Sequence, residues 1–202
     1  GTLASVEIND SGPFEIQELT VTGDLTVTAG DDITDDDTVS VGGDLSATTD
    51  ASDGVINLGT LEVNGTIALV THGTGAATVV NDDGINFATS TVGGALTATA
   101  TAGDITDSGA LAVTGTADFT VADGRSIILD SDGTFSSTVR FLPSSGTIAS
   151  VEINDSGPFA LQTLTVTGNL TVTAGDDITD DGILTVGGNL VATTDLSSGA
   201  IN

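Results

Sequence analysis

Clustered carboxylates are the first residues in this chain that could do chemistry. Asp31, Asp32, Asp35, Asp36 and Asp37 form one group, and Asp176, Asp177, Asp180 and Asp181 echo it. Hard oxygen ligands at this density suit Ca2+, which takes about six to eight of them. Asp31, Asp32, Asp35, Asp36, Asp176, Asp177, Asp180 and Asp181 are therefore the candidate Ca2+ ligands. The competing reading is a set of solvated turns, because Asp is favoured at corners for its own backbone hydrogen bonding. The glycine-rich nonapeptide repeat that binds Ca2+ in β-rolls is missing. Asp24 is also replaced by Asn169 where the sequence repeats, so at least one acidic corner tolerates loss of charge. The turn reading carries more weight, and no other cofactor is expected.

Other chemistry has less to work with. His72 has neither a second His nor any Cys to complete a zinc site. Glycan-cleaving solenoids need basic groups beside uronates, or two carboxylates set across a cleft. The permanent cations are Arg125 and Arg140 alone, in a chain of formal charge −27. They are expected to pair with neighbours such as Asp123 or Asp130, and the chain is not expected to be an enzyme. Thr20/Thr22, Thr26/Thr28 and Thr97/Thr99/Thr101 resemble the flat Thr arrays of ice-binding solenoids. Thr is also an ordinary outward residue on a strand, and the arrays break at Ser40-Val41-Gly42 and Glu62-Val63-Asn64.

The elements that would position these groups follow from Leu19–Asp35, LTVTGDLTVTAGDDITD. Leu19, Val21, Leu25, Val27 and Ile33 alternate with Thr, which puts aliphatic groups on one face of a strand and hydroxyls on the other. Gly23-Asp24, Ala29-Gly30 and Asp31-Asp32 interrupt the alternation with residues that accept tight corners. Three short strands result, and their apolar face needs a copy above and below. Copies start at Val39, Leu61, Thr91, Leu111, Leu164 and Leu184. A period near 20 residues indicates a solenoid. The expected fold is all-β, a right-handed parallel β-helix, with handedness taken from the general preference of parallel crossovers.

A longer repeat overlies the short one. Residues 1–57 and 146–202 align without a gap at an offset of 145, with 43 of 57 positions identical. Inward differences are aliphatic swaps (Leu3/Ile148, Ile16/Leu161, Val39/Leu184), while many outward ones drop a charge. Packing alone demands that pattern. The offset corresponds to about seven coils, or roughly 34 Å of rod at about 4.8 Å per coil. Residues 1–145 read as one super-repeat and 146–202 as the start of the next, in one continuous body cut from a longer array.

Val70–Ser90 fits the template worst, and Thr71-His72-Gly73-Thr74-Gly75 reads as an outward loop, the expected place for a protrusion. Asp50–Gly54 reads as a turn. Phe119, Phe135 and Phe141 are expected to supply large inward groups, and Pro143 a corner before the long repeat restarts.

Composition removes several functions. A balance of two Arg and no Lys against 29 Asp and Glu excludes a phosphate-backbone reader, which needs clustered Lys and Arg, and the acidity opposes docking on an anionic membrane. No apolar run approaches the ~20 residues of a membrane helix. LTVTGDLTVTAGDDITD and ITDSGALAVTGTADFTVADGRSIILD resemble the repeats of filamentous-haemagglutinin-type and related giant bacterial surface proteins. That resemblance implies a secreted, very long parallel β-helix acting as adhesin, filament or cell-surface fibre, with no catalytic residue to carry over. The expected function is a structural segment of an extracellular filament, stalk or surface layer. Its expected partner is itself, end to end, and a cell-surface or glycan partner would engage other regions. An adhesin stalk with its binding domain elsewhere is the alternative, and an ice-binding or glycan-active solenoid comes third.

Overall fold

Alternating aliphatic residues stack, coil on coil, into a parallel β-solenoid, with no helix among the described residues. The computed structural model describes residues 3–195 and 198–202; Gly1, Thr2, Leu196 and Ser197 lie outside the described residues. One side of the stack is a continuous parallel path that starts at Val6–Asp10 and ends at Leu190–Thr194. Its rungs run Val6, Leu25, Leu45, Ile67 and Phe87, then Ile85, Ile105, Ile127, Val151, Leu170 and Leu190. Val151 is the super-repeat equivalent of Val6, and the path from one to the other climbs seven coils. The 145-residue repeat therefore returns in phase with the coil. This side is called side one, and the opposite sheet side two.

The template does not stay on one side. In the first coils, side one carries long strands, Val6–Asp10, Leu25–Ala29 and Leu45–Ser52. Side two carries kinked pairs of three-residue strands, such as Ile33–Asp35 with Val39–Val41. In the middle coils the roles exchange. Side two now carries Ala77–Asn81, Leu96–Ala100, Ala117–Val121 and Val139–Pro143. Side one carries the pairs Ile85–Phe87 with Ser90–Val92 and Ile105–Asp107 with Leu111–Val113. From Val151–Asp155 onward the first arrangement returns. Longer strands such as Ile56–Val63 and Ile127–Phe135 bridge the exchange, each spanning a kinked pair on one edge and a straight strand on the other.

Spacing explains the exchange. Equivalent template positions Val21, Val41 and Val63 lie 20 and 22 residues apart, but Val92 follows Val63 by 29, about one and a half coils. Phe135 to Ile148 is 13 residues, about half a coil, and restores the phase. The protrusion expected at Val70–Ser90 is therefore absent. The region forms Ile67–His72, Ala77–Asn81 and Ile85–Phe87 within the stack, joined by short turns. The turn expected at Asp50–Gly54 is also shorter, because the strand from Leu45 continues to Ser52.

Inward positions are buried through the body of the stack, and Leu25, Val27, Leu170 and Val172 are at 0% exposure. Phe119 lies at the centre of the middle coils, edge-on to Phe87 and Phe135 and stacked on Phe141, with centroids 6.2–6.4 Å apart. These rings fill the section where the sides exchange roles. Corner glycines let coils touch: a Cβ on Gly30 would overlap the carbonyl of Ser11, and one on its repeat partner Gly175 that of Ser156.

Candidate functional site

The acidic corners act between coils. Asp24 Oδ1 accepts the backbone N–H of Asp44 at 3.0 Å, and Asp44 Oδ1 accepts that of Thr66 at 2.7 Å. The same bond recurs from Val55 N–H to Asp32 (2.9 Å), Thr74 to Asp53 (2.7 Å), Ser126 to Asp104 (2.8 Å) and Ala200 to Asp177 (2.7 Å). Asp35 takes Gly59 N–H on one oxygen and Thr60 N–H and Oγ1–H on the other, each at 2.8 Å. A bend turns backbone N–H groups out of the ladder, and the carboxylate one coil below supplies their acceptor. The Asp24/Asn169 exchange fits this role, since Asn169 Oδ1 accepts Asn189 N–H at 2.9 Å. The acceptor is kept while the charge is lost. Thr66 and Thr74, through hydroxyl and N–H, hold the carboxyls of Asp44 and Asp53 below the usual range.

The candidate Ca2+ ligands are thus distributed over several jobs. Asp32, Asp35 and Asp177 bond the next coil, Asp180 closes a local turn on Gly182 N–H (2.9 Å), and Asp31, Asp36 and Asp181 are exposed, with Asp176 half-buried. Among the described residues no three His, Cys, Asp or Glu side chains come together as a metal-holding group.

Sequence reasoning missed a second set of polar residues, those inside the stack. Thr49, Thr71, Asn81, Ser90 and Asp155 are all buried. Three of them sit where the sides exchange roles. A straight strand and a kinked pair differ in length, so the register slips and backbone groups lose their ladder partners. At the slip between Val79 and Asn81, the Asn81 amide replaces the missing rung. Its Oδ1 accepts Val63 N–H (2.8 Å), and its Nδ2 donates to Val63 O (3.1 Å) and Gly84 O (2.6 Å). Ser90 Oγ accepts Leu69 N–H at 3.0 Å and donates to Ala88 O at 2.8 Å. Asp155 Oδ1 accepts Phe135 N–H and Gly157 N–H, both at 3.2 Å, while its buried Oδ2 has no partner. Burial pushes the Asp155 carboxyl up, with repulsion from Asp132 adding to it against those two hydrogen bonds. A signal existed in the sequence: an Asn, a Ser and an Asp each fall where the alternation requires an apolar residue.

The fourth exchange, on side two between Val139–Pro143 and the pair Phe159–Leu161 with Leu164–Val166, has no such group. Val139–Pro143 ends the nine-stranded sheet, and the two short strands begin separate two-stranded sheets. No rung pairs Val139–Pro143 with either short strand; its partner is Ala117–Val121, and theirs are Ile178–Asp180 and Leu184–Val186. Among the described residues the coils meet on this side at the bridge from Ile148 to Val166 and at the corner beside it, where Thr167 N–H bonds Ile148 O and Gly168 N–H bonds Ala149 O. Two grooves open here. One of about 520 Å³ is lined by Thr134–Thr138, Asp155–Pro158, Ala160, Gln162 and Asp181, and one of about 400 Å³ by Phe141–Pro143, Gly146, Thr147 and Thr163–Thr165.

The remaining candidates are placed as follows. Arg140 does not pair with Asp123 or Asp130; its Nε and Nη2 donate to both oxygens of Asp118, its rung neighbour, at 2.6 and 2.5 Å. His72 Nδ1 donates to Thr49 O at 2.6 Å, holding one coil to the next. Thr26 and Thr28 face out on side one over Ser46 and Thr48, whereas Thr97 and Thr99 face out on side two. The exchange of sides thus divides the Thr array into short patches.

A family model described as repeats of unknown function (DUF5649) matches residues 3–60, 74–141 and 149–202. No curated protein and no solved structure matches the chain. The matched segments cover most of the chain and stop near the two half-coil spacings, at 61–73 and 142–148; the chain belongs to this family of repeats of unknown function.

Proposed function

We propose that this chain is a structural segment of a secreted, fibrous bacterial surface protein of the filamentous-haemagglutinin kind, serving as filament, stalk or surface layer. The observation that carries the reading is the in-phase return of the 145-residue repeat after seven coils. A repeat that closes on a whole number of coils extends without bending the ladder, so further copies lengthen one rod. The chain's partner on this reading is itself, end to end, and its role is mechanical and non-enzymatic, outside the cell or on its surface. The acidic exterior keeps neighbouring rods apart. Tandem arrays of one to four super-repeats test it in electron micrographs: each added copy should lengthen the particle by about 34 Å at constant width. Particles that grow in width would contradict it. Immunogold labelling of the intact cells that make the protein should place it outside the envelope, and exclusive labelling of the interior would remove the surface role.

A further inference from the structure

We infer that the opening on side two between Val139–Pro143 and the Phe159–Leu161/Leu164–Val166 pair is a strand-accepting slot. Its occupant is an extended segment of a partner polypeptide, aliphatic at alternate positions and free of acidic residues. The slot belongs to one coil of the super-repeat and stands whether or not the array forms filaments.

Backbone direction gives the first support. In a parallel ladder, alternate residues turn their N–H and C=O to opposite neighbours. Ala117 N–H bonds Thr138 O and Ser144 N–H bonds Val121 O, so even-numbered residues here face the preceding coil. Val139 and Phe141 therefore turn N–H and C=O into the opening. Across it, Phe159 N–H bonds Asp177 O, Asp181 N–H bonds Leu161 O, and Leu164 N–H bonds Ile183 O, which leaves Ala160 and Thr165 facing back. Both margins thus present unpaired strand edges, the arrangement that an added strand completes. Pro143, lacking an N–H, ends the lower margin as prolines end free edges. Gln162 Nε2 reaches Ala160 O only at 3.5 Å.

Side chains set the occupant's chemistry. Val139, Phe141, Phe159, Leu161 and Leu164 retain 3–7% exposure, while the same lines elsewhere, at Leu96 and Ala98, are at 0–1%. The opening reaches the apolar core, so the inward positions of an entering strand must be aliphatic. Asp181 and Asp155 line its mouth, in a chain of formal charge −27. An acidic strand would be repelled, and a neutral or basic one drawn in.

The test uses the whole 202-residue chain and a labelled probe, acetyl-Lys-Leu-Thr-Val-Thr-Ala-Lys-amide, followed by fluorescence anisotropy. Saturable one-to-one binding is expected. It should weaken at least tenfold when alternate amides of the probe are N-methylated, and also with Ala160→Pro, which removes an N–H that no ladder uses. Thr165→Pro should act in the same way, so that one misfolded variant does not decide the matter. Hydrogen exchange gives an independent reading: Val139 and Phe141 amides should exchange quickly in the free chain and be protected by the probe. Absent binding, binding indifferent to N-methylation, or slow exchange at both amides in the free chain would overturn the slot. Self-association of the chain abolished by Ala160→Pro would assign the occupant to a second copy and overturn the partner.

Discussion

Side two crosses between straight and kinked strands twice, and the crossings differ. At the first, Ile56–Val63 pairs with the kinked strands on one edge and with Ala77–Asn81 on the other, and Asn81 fills the broken rung. At the second, nothing replaces the missing rung, and the sheet ends at Val139–Pro143. A change of register in this parallel ladder thus survives where a side chain supplies the displaced donor and acceptor. Buried backbone groups without partners cost too much to be left inside a stack.

Removing the Asn81 amide should have the largest effect. Asn81→Leu strands Val63 N–H, Val63 O and Gly84 O. A loss on the order of 3–5 kcal/mol is expected from urea unfolding, because several buried groups lose partners together. A loss under about 1 kcal/mol would show that the crossing does not depend on the amide.

On side one a carboxylate, Asp155, patches the slip between Leu129 and Gly133 at a cost in charge. Its pKa is raised by burial, so the folded chain holds its proton more tightly than the unfolded one. Its contribution is fully present below the unfolded value of 3.8 and is lost as pH rises through the raised folded value. Asp44 and Asp53, with lowered pKa values, oppose this below 3.8. Burial also raises the Asp107 carboxyl, with the same sign. Wild type should therefore gain stability as pH falls from 7 toward the acidic range, and Asp155→Asn should reduce that gain. An unchanged pH profile in Asp155→Asn would move the effect to other carboxylates.

Corner acceptors carry a smaller effect. Asp24→Asn copies Asn169 and should change unfolding free energy by less than about 0.5 kcal/mol, whereas Asp24→Ala, which strands Asp44 N–H, should cost about 1 kcal/mol. Equal costs would mean that the charge matters and the hydrogen bond does not. Mixed salts separate a Ca2+ role from screening. A melting temperature raised by millimolar CaCl2 well beyond NaCl of equal ionic strength would assign Ca2+ to the corners, and equal shifts would leave screening alone. The smallest effect is expected from Arg140→Gln, which removes an exposed ion pair with Asp118 and should leave the urea midpoint unchanged.

Much of the fold was legible because strand alternation is a strong, local signal. Val27 or Ile105 needs only its neighbours in sequence to be placed inside. The exchange of sides was hidden in a spacing. The 29 residues from Val63 to Val92 read as one coil with a loop, although Ala77-Thr78-Val79-Val80-Asn81 within them carries a strand of its own. Asn81 and Ser90 went unread because polar residues beside bends resemble turns until the register slip is known. The corner Asp residues were located, but their role was not: composition counts charge, while the fold uses the oxygen as an acceptor.

The template changes sides instead of looping out, and one pair of disulfide probes tests this in a cysteine-free chain. Thr91 pairs with Val70 across adjacent coils; a looped-out 70–90 segment would set Thr91 over Glu62. The Val70→Cys/Thr91→Cys double variant should oxidise to a monomeric disulfide, and Glu62→Cys/Thr91→Cys should not. The reverse result would contradict the account.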